Sequence, residues 1–252
     1  MASHPSLTRA QSREVDRIAI EELGIPGIVL MENAAASLER AAGPMLGDDP
    51  EARTLIIAGP GNNGGDGFAL ARRLRNADRL VEVVATRGVD ACVGDALVNA
   101  RIIERMGIRI EVAVRQGLHT RLSDWSDPAV TLIVDAMLGT GATRAPEGVV
   151  AELVRWVNRE HDAGARVLAV DVPTGLDADT GRPLGDPALV VRADRTLTLG
   201  SMKVGLGAEG ASAWTGVVEV GDIGAPAMVF DRAAGMEPGA GGDVGGGSRP
   251  GG

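Results

Sequence analysis

The polar residues best placed for chemistry in this chain stand directly behind short apolar runs. GPGNNGGDG (59–67) follows TLIIA (54–58), Asp135 follows VTLIV (130–134), and Asp171 follows RVLAV (166–170). Carboxylates in such places can carry protons. The glycines at 61, 64, 65 and 67 let backbone N–H groups approach an anion closely, and the helix that follows adds its positive dipole end. Lys203, in MKVGL (202–206) behind a further apolar run, can reach the same place or stand as a solvated surface lysine. There is no G-x-x-x-x-G-K-[ST] loop and no G-x-S-x-G elbow, and the three His are scattered. Proton transfer therefore falls to the carboxylates or to Lys203.

Gly59, Gly61 and Gly64 satisfy the G-x-G-x-x-G spacing of dinucleotide loops, a weak signal by itself. A nicotinamide or flavin domain also needs an acid at the end of its second strand, and here that run ends in Ala85-Thr86-Arg87. Asn62, Asn63 and Asp66 bring more side-chain chemistry than a pyrophosphate cradle needs. The plainer alternatives are a tight turn with Asn and Asp as caps at 59–67, and turn-capping roles for Asp135 and Asp171. Asp177 and Asp179 resemble the start of a calcium loop, but Gly181 and Arg182 break that pattern, so both are read as turn residues.

What must position these residues is legible in the hydrophobic pattern. Apolar runs at 54–58, 81–85, 108–114, 130–134, 166–170, 195–199 and 217–220 are separated by helical patterns that include 68–75, 94–106 and 148–160. The alternation predicts an α/β chain: a Rossmann-like three-layer fold with a mostly parallel central sheet and helices on both faces. Two further helices precede it, one carrying Val15, Ile18, Ala19 and Leu23, the next running from Pro26 through Met31 to Leu38. In a parallel sheet GPGNNGGDG, Asp135 and Asp171 all fall on the carboxyl edge, where open α/β folds bind ligands.

The composition narrows the classes. With 252 residues and 44% hydrophobic content, wholesale disorder is excluded. A net charge of −9 and only 2% aromatics disfavour nucleic-acid binding. The single Cys cannot form an intramolecular disulfide, which suits a reducing cytoplasm. No run of 18 apolar residues is present, so no membrane span is expected. One domain is placed at 1–230, followed by a flexible Gly-rich tail at 231–252.

Taken jointly, IEELGIPGIVLMENAA, GPGNNGGDGFALARRL, VDAMLGTGATRAPEG and DVPTGLDADTG resemble, in order and spacing, the NAD(P)H-hydrate epimerases. That Rossmann-like family is also represented by the apolipoprotein A-I-binding protein, and the resemblance covers about residues 10–222. It implies an isomerase that interconverts the R and S forms of hydrated NADH and NADPH. A separate dehydratase would act on the product, and a homodimer is a candidate assembly. By the same resemblance Asn62, Asn63, Gly64, Gly65 and Asp66 hold the substrate together with Gly139, Thr140, Gly141, Ala142, Thr143, Arg144 and Ala145, and Asp171 contacts it. Asn63, Asp135 and Thr174 resemble ligands of a potassium ion, and their hard oxygens suit such a cation. Asp171 is the first choice for acid/base catalyst and Asp66 the second. The rival readings are a noncatalytic nucleotide- or protein-binding module and an NAD(P)-dependent oxidoreductase.

Overall fold

The computed structural model describes residues 4–127 and 129–235, with only the backbone described at His119 and Thr120. Its centre is a seven-stranded sheet of β1 (Arg53–Ala58), β2 (Leu80–Ala85), β3 (Ile110–Val112), β4 (Leu132–Ala136), β5 (Arg166–Val170), β6 (Arg195–Leu199) and β7 (Val217–Gly221). Every pairing is parallel, in the order β3-β2-β1-β4-β5-β6-β7. No helix of the described residues is long and apolar enough to cross a membrane.

The period of two along each strand sorts its residues between two cores. Ile56, Ala58, Val134 and Val170 face α2 (Gly27–Leu46), α3 (Asn62–Asn76) and α4 (Gly94–Arg105). Leu55, Ile57, Ile133 and Ala169 face α5 (Leu118–Ser126) and α6 (Gly148–Asp162). Both faces are thus covered, which explains why the strands are nearly continuous apolar runs. On the second face Trp156 is buried against Trp125, ring centroids 6.0 Å apart in an edge arrangement. Its indole N–H donates to Ser126 Oγ at 3.1 Å.

From β1 the chain steps outward to β2 and β3, then returns to lay β4 on the other side of β1. The connections leaving β1 and β4 diverge, which opens a crevice at their carboxyl ends. Register puts Asp135 beside Ile57 of β1 and Ala169 of β5, and Asp171 directly follows the last residue of β5.

Several elements depart from the sequence expectation. β3 has three residues rather than the run at 108–114, because its outer neighbours turn into loop and α5. GPGNNGGDG is mostly helix: α3 starts at Asn62, so only Gly59 to Gly61 form the turn. At the far end, past the short α7 (Ser212–Thr215), α8 (Ala227–Ala234) carries Val229, Phe230 and Ala233 into a core shared with α1 (Arg9–Arg17) and the π-helical turn Ile18–Glu22. The boundary placed at 230 therefore falls inside a packed helix, whose residues 231–234 belong to the tail expected at 231–252, and the rest of that tail, 236–252, lies outside the described residues.

The glycines of α3 fix its depth on the sheet. A Cβ on Gly64 would collide with the carbonyl oxygen of Gly59, and one on Gly67 would lie 2.8 Å from Ala136 Cβ and 3.2 Å from Ile56 Cγ2. Gly61, by contrast, faces open space. Gly64→Ala is expected to lower stability by about 2 kcal/mol through forced displacement of α3, and Gly61→Ala by under about 1 kcal/mol. Urea unfolding midpoints of the two variants check this difference.

Candidate active site

The crevice at the carboxyl edge is a cleft of about 570 Å³. Its floor is α3 and the ends of the central strands; its walls include α1, the start of α2 and α8. Four carboxyls line it, Asp16, Asp66, Asp95 and Asp171, together with one buried ammonium, Lys203.

Asp171 is built to be immobile. Its backbone is left-handed at φ 65°, a conformation Asp tolerates better than most side chains and one that ends the alternation of β5. Its N–H donates to Leu197 O at 2.8 Å. Three donors converge on Oδ1: Lys203 Nζ at 2.8 Å, Leu199 N at 3.1 Å and Thr198 Oγ1 at 3.2 Å. Lys203 is 3% exposed, and its ammonium also donates to Leu199 O at 2.7 Å and Ser201 O at 3.2 Å. The buried charge is thereby fully partnered, and the second carboxylate oxygen of Asp171 has no protein donor among the described residues.

Asp66 is the opposite case. It sits one turn inside α3, 7% exposed, with no hydrogen-bonding partner for its side chain among the described residues. Burial raises its pKa well above the ordinary aspartate value, the negative charges of Asp171 and Asp16 add to the rise, and Lys203 offsets part of it. Asp66 therefore keeps its proton where free carboxyls have lost theirs. Asp16, accessible from the open cleft yet flanked by its walls, is pushed up to about 6 by desolvation, with Lys203 lowering and Asp171 raising it. One cleft thus holds a carboxyl biased toward keeping its proton beside one whose Oδ1 accepts three hydrogen bonds.

Asp135 lies beneath, fully buried. It accepts from Thr174 Oγ1 at 2.7 Å, Thr174 N at 2.8 Å and Met137 N at 3.2 Å, so it does cap its turn. Burial pushes it up to about 6 against the lowering effect of these bonds, and no cationic side chain contributes. Asn63 packs against Gly139, where a Cβ would lie 3.1 Å from the amide carbon, and its amide nitrogen is buried without a partner. A buried carboxylate without a countercharge, together with the amide oxygen of Asn63 and the hydroxyl oxygen of Thr174, is a donor set that fits a hard monovalent cation, whereas the unpartnered Asn63 N–H group is a donor and could not ligate one. Among the described residues no cluster of three His, Cys, Asp or Glu suits a transition metal.

Of the residues expected to hold substrate, Asn62, Asn63, Asp66, Gly139, Thr140, Gly141, Ala142 and Asp171 line the cleft. Gly64 and Gly65 are buried beneath it: Gly65 lies under the Met31 thioether, where a Cβ would be 2.9 Å from Sδ. Thr143, Arg144 and Ala145 are not part of the lining, and Ala145 packs against Gly185 instead. Asp177 and Asp179 hold a turn, Asp177 accepting from Thr180 N at 2.8 Å and Asp179 N at 3.0 Å. Asp177 also pairs with Arg9 at 2.7 Å. Asp16, Met31 and Phe230 were not foreseen. In sequence Asp16 is one charge among Glu14, Asp16 and Arg17, and nothing local separates it from a solvated helix face.

A doubly wound parallel sheet with an acidic, oxygen-rich crevice at its switch point defines a Rossmann-like α/β protein of the ligand-binding kind. This chain belongs to the family described as YjeF-related protein N-terminus, which it matches over residues 27–205. Among its relatives, the NAD(P)H-hydrate epimerase of Rhodopirellula baltica is 41% identical, covering 88% of this chain and 85% of its own. That of Pirellula staleyi is 37% identical, covering 89% and 94%. A bifunctional NAD(P)H-hydrate repair enzyme of Salinibacter ruber is 39% identical over 91% of this chain, which spans 42% of that longer protein. The crystal structure of yeast YNL200c shares the fold, with a TM-score of 0.68 at 22% identity, covering 80% of this chain and 82% of that one.

Folding obliges Asp66 to hold a proton that the unfolded chain releases near pH 3.8, so its contribution to stability falls as pH rises above that value. Asp66→Asn removes the obligation. The variant is expected to melt a few degrees above the parent at pH 7, with the gap closing as the pH falls below the ordinary aspartate range. Thermal melts across pH 3.5–7.5 measure it.

Proposed function

We propose that this chain interconverts the R and S hydrates of NADH and NADPH. The observation that carries the reading is the pairing, in one cleft, of a buried Asp66 that retains its proton with an Asp171 carboxylate held by Lys203. The names borne by relatives of nearly the same length support it.

The hydrated ring carbon bears a hydroxyl next to the ring nitrogen. Asp66 gives its proton to that hydroxyl, which leaves as water while the nitrogen lone pair forms a planar iminium-like cation. Water adds to the opposite face and Asp171 accepts its proton, completing the other epimer. No electron is transferred and no nucleoside triphosphate is consumed. Proton transfer by a positioned carboxyl contributes about 10²–10⁴-fold in rate, and the negative Asp171 also stabilises the ring cation as it develops.

The dinucleotide's phosphates find unpaired backbone N–H groups at the start of α3, where the helix dipole favours negative charge. Asn63, Asp135 and Thr174 would hold a potassium ion below the Gly139 loop. Such an ion supplies fixed positive charge that offsets the buried Asp135 and steadies the two strand-end turns. The S hydrate then passes to a dehydratase, a partner activity consistent with the bifunctional relatives.

The purified protein is expected to convert an isolated R hydrate to an R/S mixture well above the spontaneous rate, followed by chiral chromatography. No acceleration by folded protein would refute the reading. Asp171→Asn should retain binding of an unreactive dinucleotide while turnover falls by about 10²–10⁴-fold.

For the cation, potassium chloride should raise the melting temperature above that in tetramethylammonium chloride at equal ionic strength, and Asp135→Ala should abolish the difference. Differential scanning fluorimetry of both proteins in the two salts decides it.

A further inference from the structure

A turnover as described leaves the substrate's protons balanced but the enzyme's displaced. Asp66 ends without its proton and Asp171 with one, so the next R hydrate meets the wrong protonation state until a proton has crossed the cleft. The residues on the page limit how it can cross. Lys203 is committed: its ammonium donates to Asp171, Leu199 O and Ser201 O and is buried. Asp95 also lines the cleft, against Gly27 at the start of α2, but the charges that act on Asp66 are those of Asp171, Asp16 and Lys203, and those that act on Asp16 are Lys203 and Asp171.

Asp16 remains. The core-facing residues Val15, Ile18 and Ala19 anchor the helical segment that carries it, and that anchoring turns Asp16 into the same cleft as Asp66 and Asp171. Its setting complements theirs, since Asp66 is 7% exposed and Asp171 9%, while Asp16 is exposed as a residue even though its carboxyl is desolvated where it faces the cleft.

Resting on the epimerase reading above, we propose that Asp16 is a further catalytic group, the carboxylate that carries the proton from Asp171 back to Asp66 between turnovers. Each step exchanges one O–H bond for another. Protonated Asp171 gives its proton to the Asp16 carboxylate, and Asp16 then gives a proton to the Asp66 carboxylate. The sum restores the starting state with no change in charge and no oxidant. In the S-to-R direction the order reverses.

The electrostatics suit a carrier. The Asp16 carboxyl lies in the field of both of its exchange partners, and desolvation pushes it up to about 6, closer to neutrality than a free aspartate. The charged groups around it are Asp66 from α3, Asp95 from α4, Asp171 and Lys203 from the strand ends, and Arg13 and Arg17 on its own helix. On α8, Asp231 is exposed and Arg232 is engaged by Glu22, which also pairs with Arg17.

The test separates one turnover from many. With protein in excess over R hydrate, Asp16→Asn is expected to epimerise at a rate within about threefold of the parent, while with hydrate in excess its saturated rate falls by about tenfold or more. Added acetate, a mobile carboxylate, should restore much of the second rate, and Asp16→Glu should need no rescue. An unchanged saturated rate, or an equal fall in both regimes, overturns the relay. If Asp16→Asn does not fold as judged by its melting curve, Asp16→Ser with the same acetate rescue replaces it. Parent protein that does not epimerise at all refutes the functional reading itself, a result distinct from failure of the relay.

Discussion

The buried ion pair between Lys203 and Asp171 is the constraint on which the rest of the site depends. Burying an ammonium costs several kcal/mol unless every donor finds an acceptor, and removing one partner of such a pair costs about 3–5 kcal/mol. Here two backbone carbonyls and one carboxylate oxygen meet that demand, so the 199–204 turn can adopt only the shape that presents them. The chain's beginning is recruited to hold this turn. Leu7, fully buried, donates from its N–H to Met202 O at 2.8 Å and accepts from Val204 N at 3.0 Å, while Arg9 N donates to Asp179 at 2.6 Å. The strap that steadies Lys203 is also the segment that leads into α1, and α1 delivers Asp16 to the cleft.

The second dependency runs through α3. Glycines at 64 and 67 allow its first turns to lie against β1 and β4 more closely than any side chain would permit. That closeness has two consequences for chemistry. It brings the positive end of the helix to the crevice, and it withdraws Asp66 from water, which raises its pKa well above that of a free aspartate. Packing density and acidity are therefore one design, in which a carboxyl that burdens stability is retained where its proton is useful.

Much of this was legible in the order of residues. Seven apolar runs, spaced by helical patterns, specify parallel strands, and strands of that kind must present their following residues along one edge. Asp135, Asp171 and the Asn62 to Asp66 segment could be placed in one crevice on that ground alone. The extent of α3 was not legible, because Gly-Asn-Asn-Gly-Gly has poor helix propensity and forms a helix here only through contact with the sheet. α8 was missed for a related reason: eight residues are too few to show a period, and Val229, Phe230 and Ala233 are stabilised by contacts with residues some two hundred positions earlier.

By itself the sequence determined the layered fold, the edge at which ligands meet it, and the oxygen-donor character of the Asn63, Asp135 and Thr174 group, because each follows from local pattern and residue type. Only the tertiary structure decided that Asp66 and Asp16 are pushed toward holding a proton. Asp16, Asp66 and Asp171 are the same side chain, and their differences arise from the distance to Lys203, the exclusion of water and the neighbouring charges. Those are properties of positions brought together across more than 150 residues of chain.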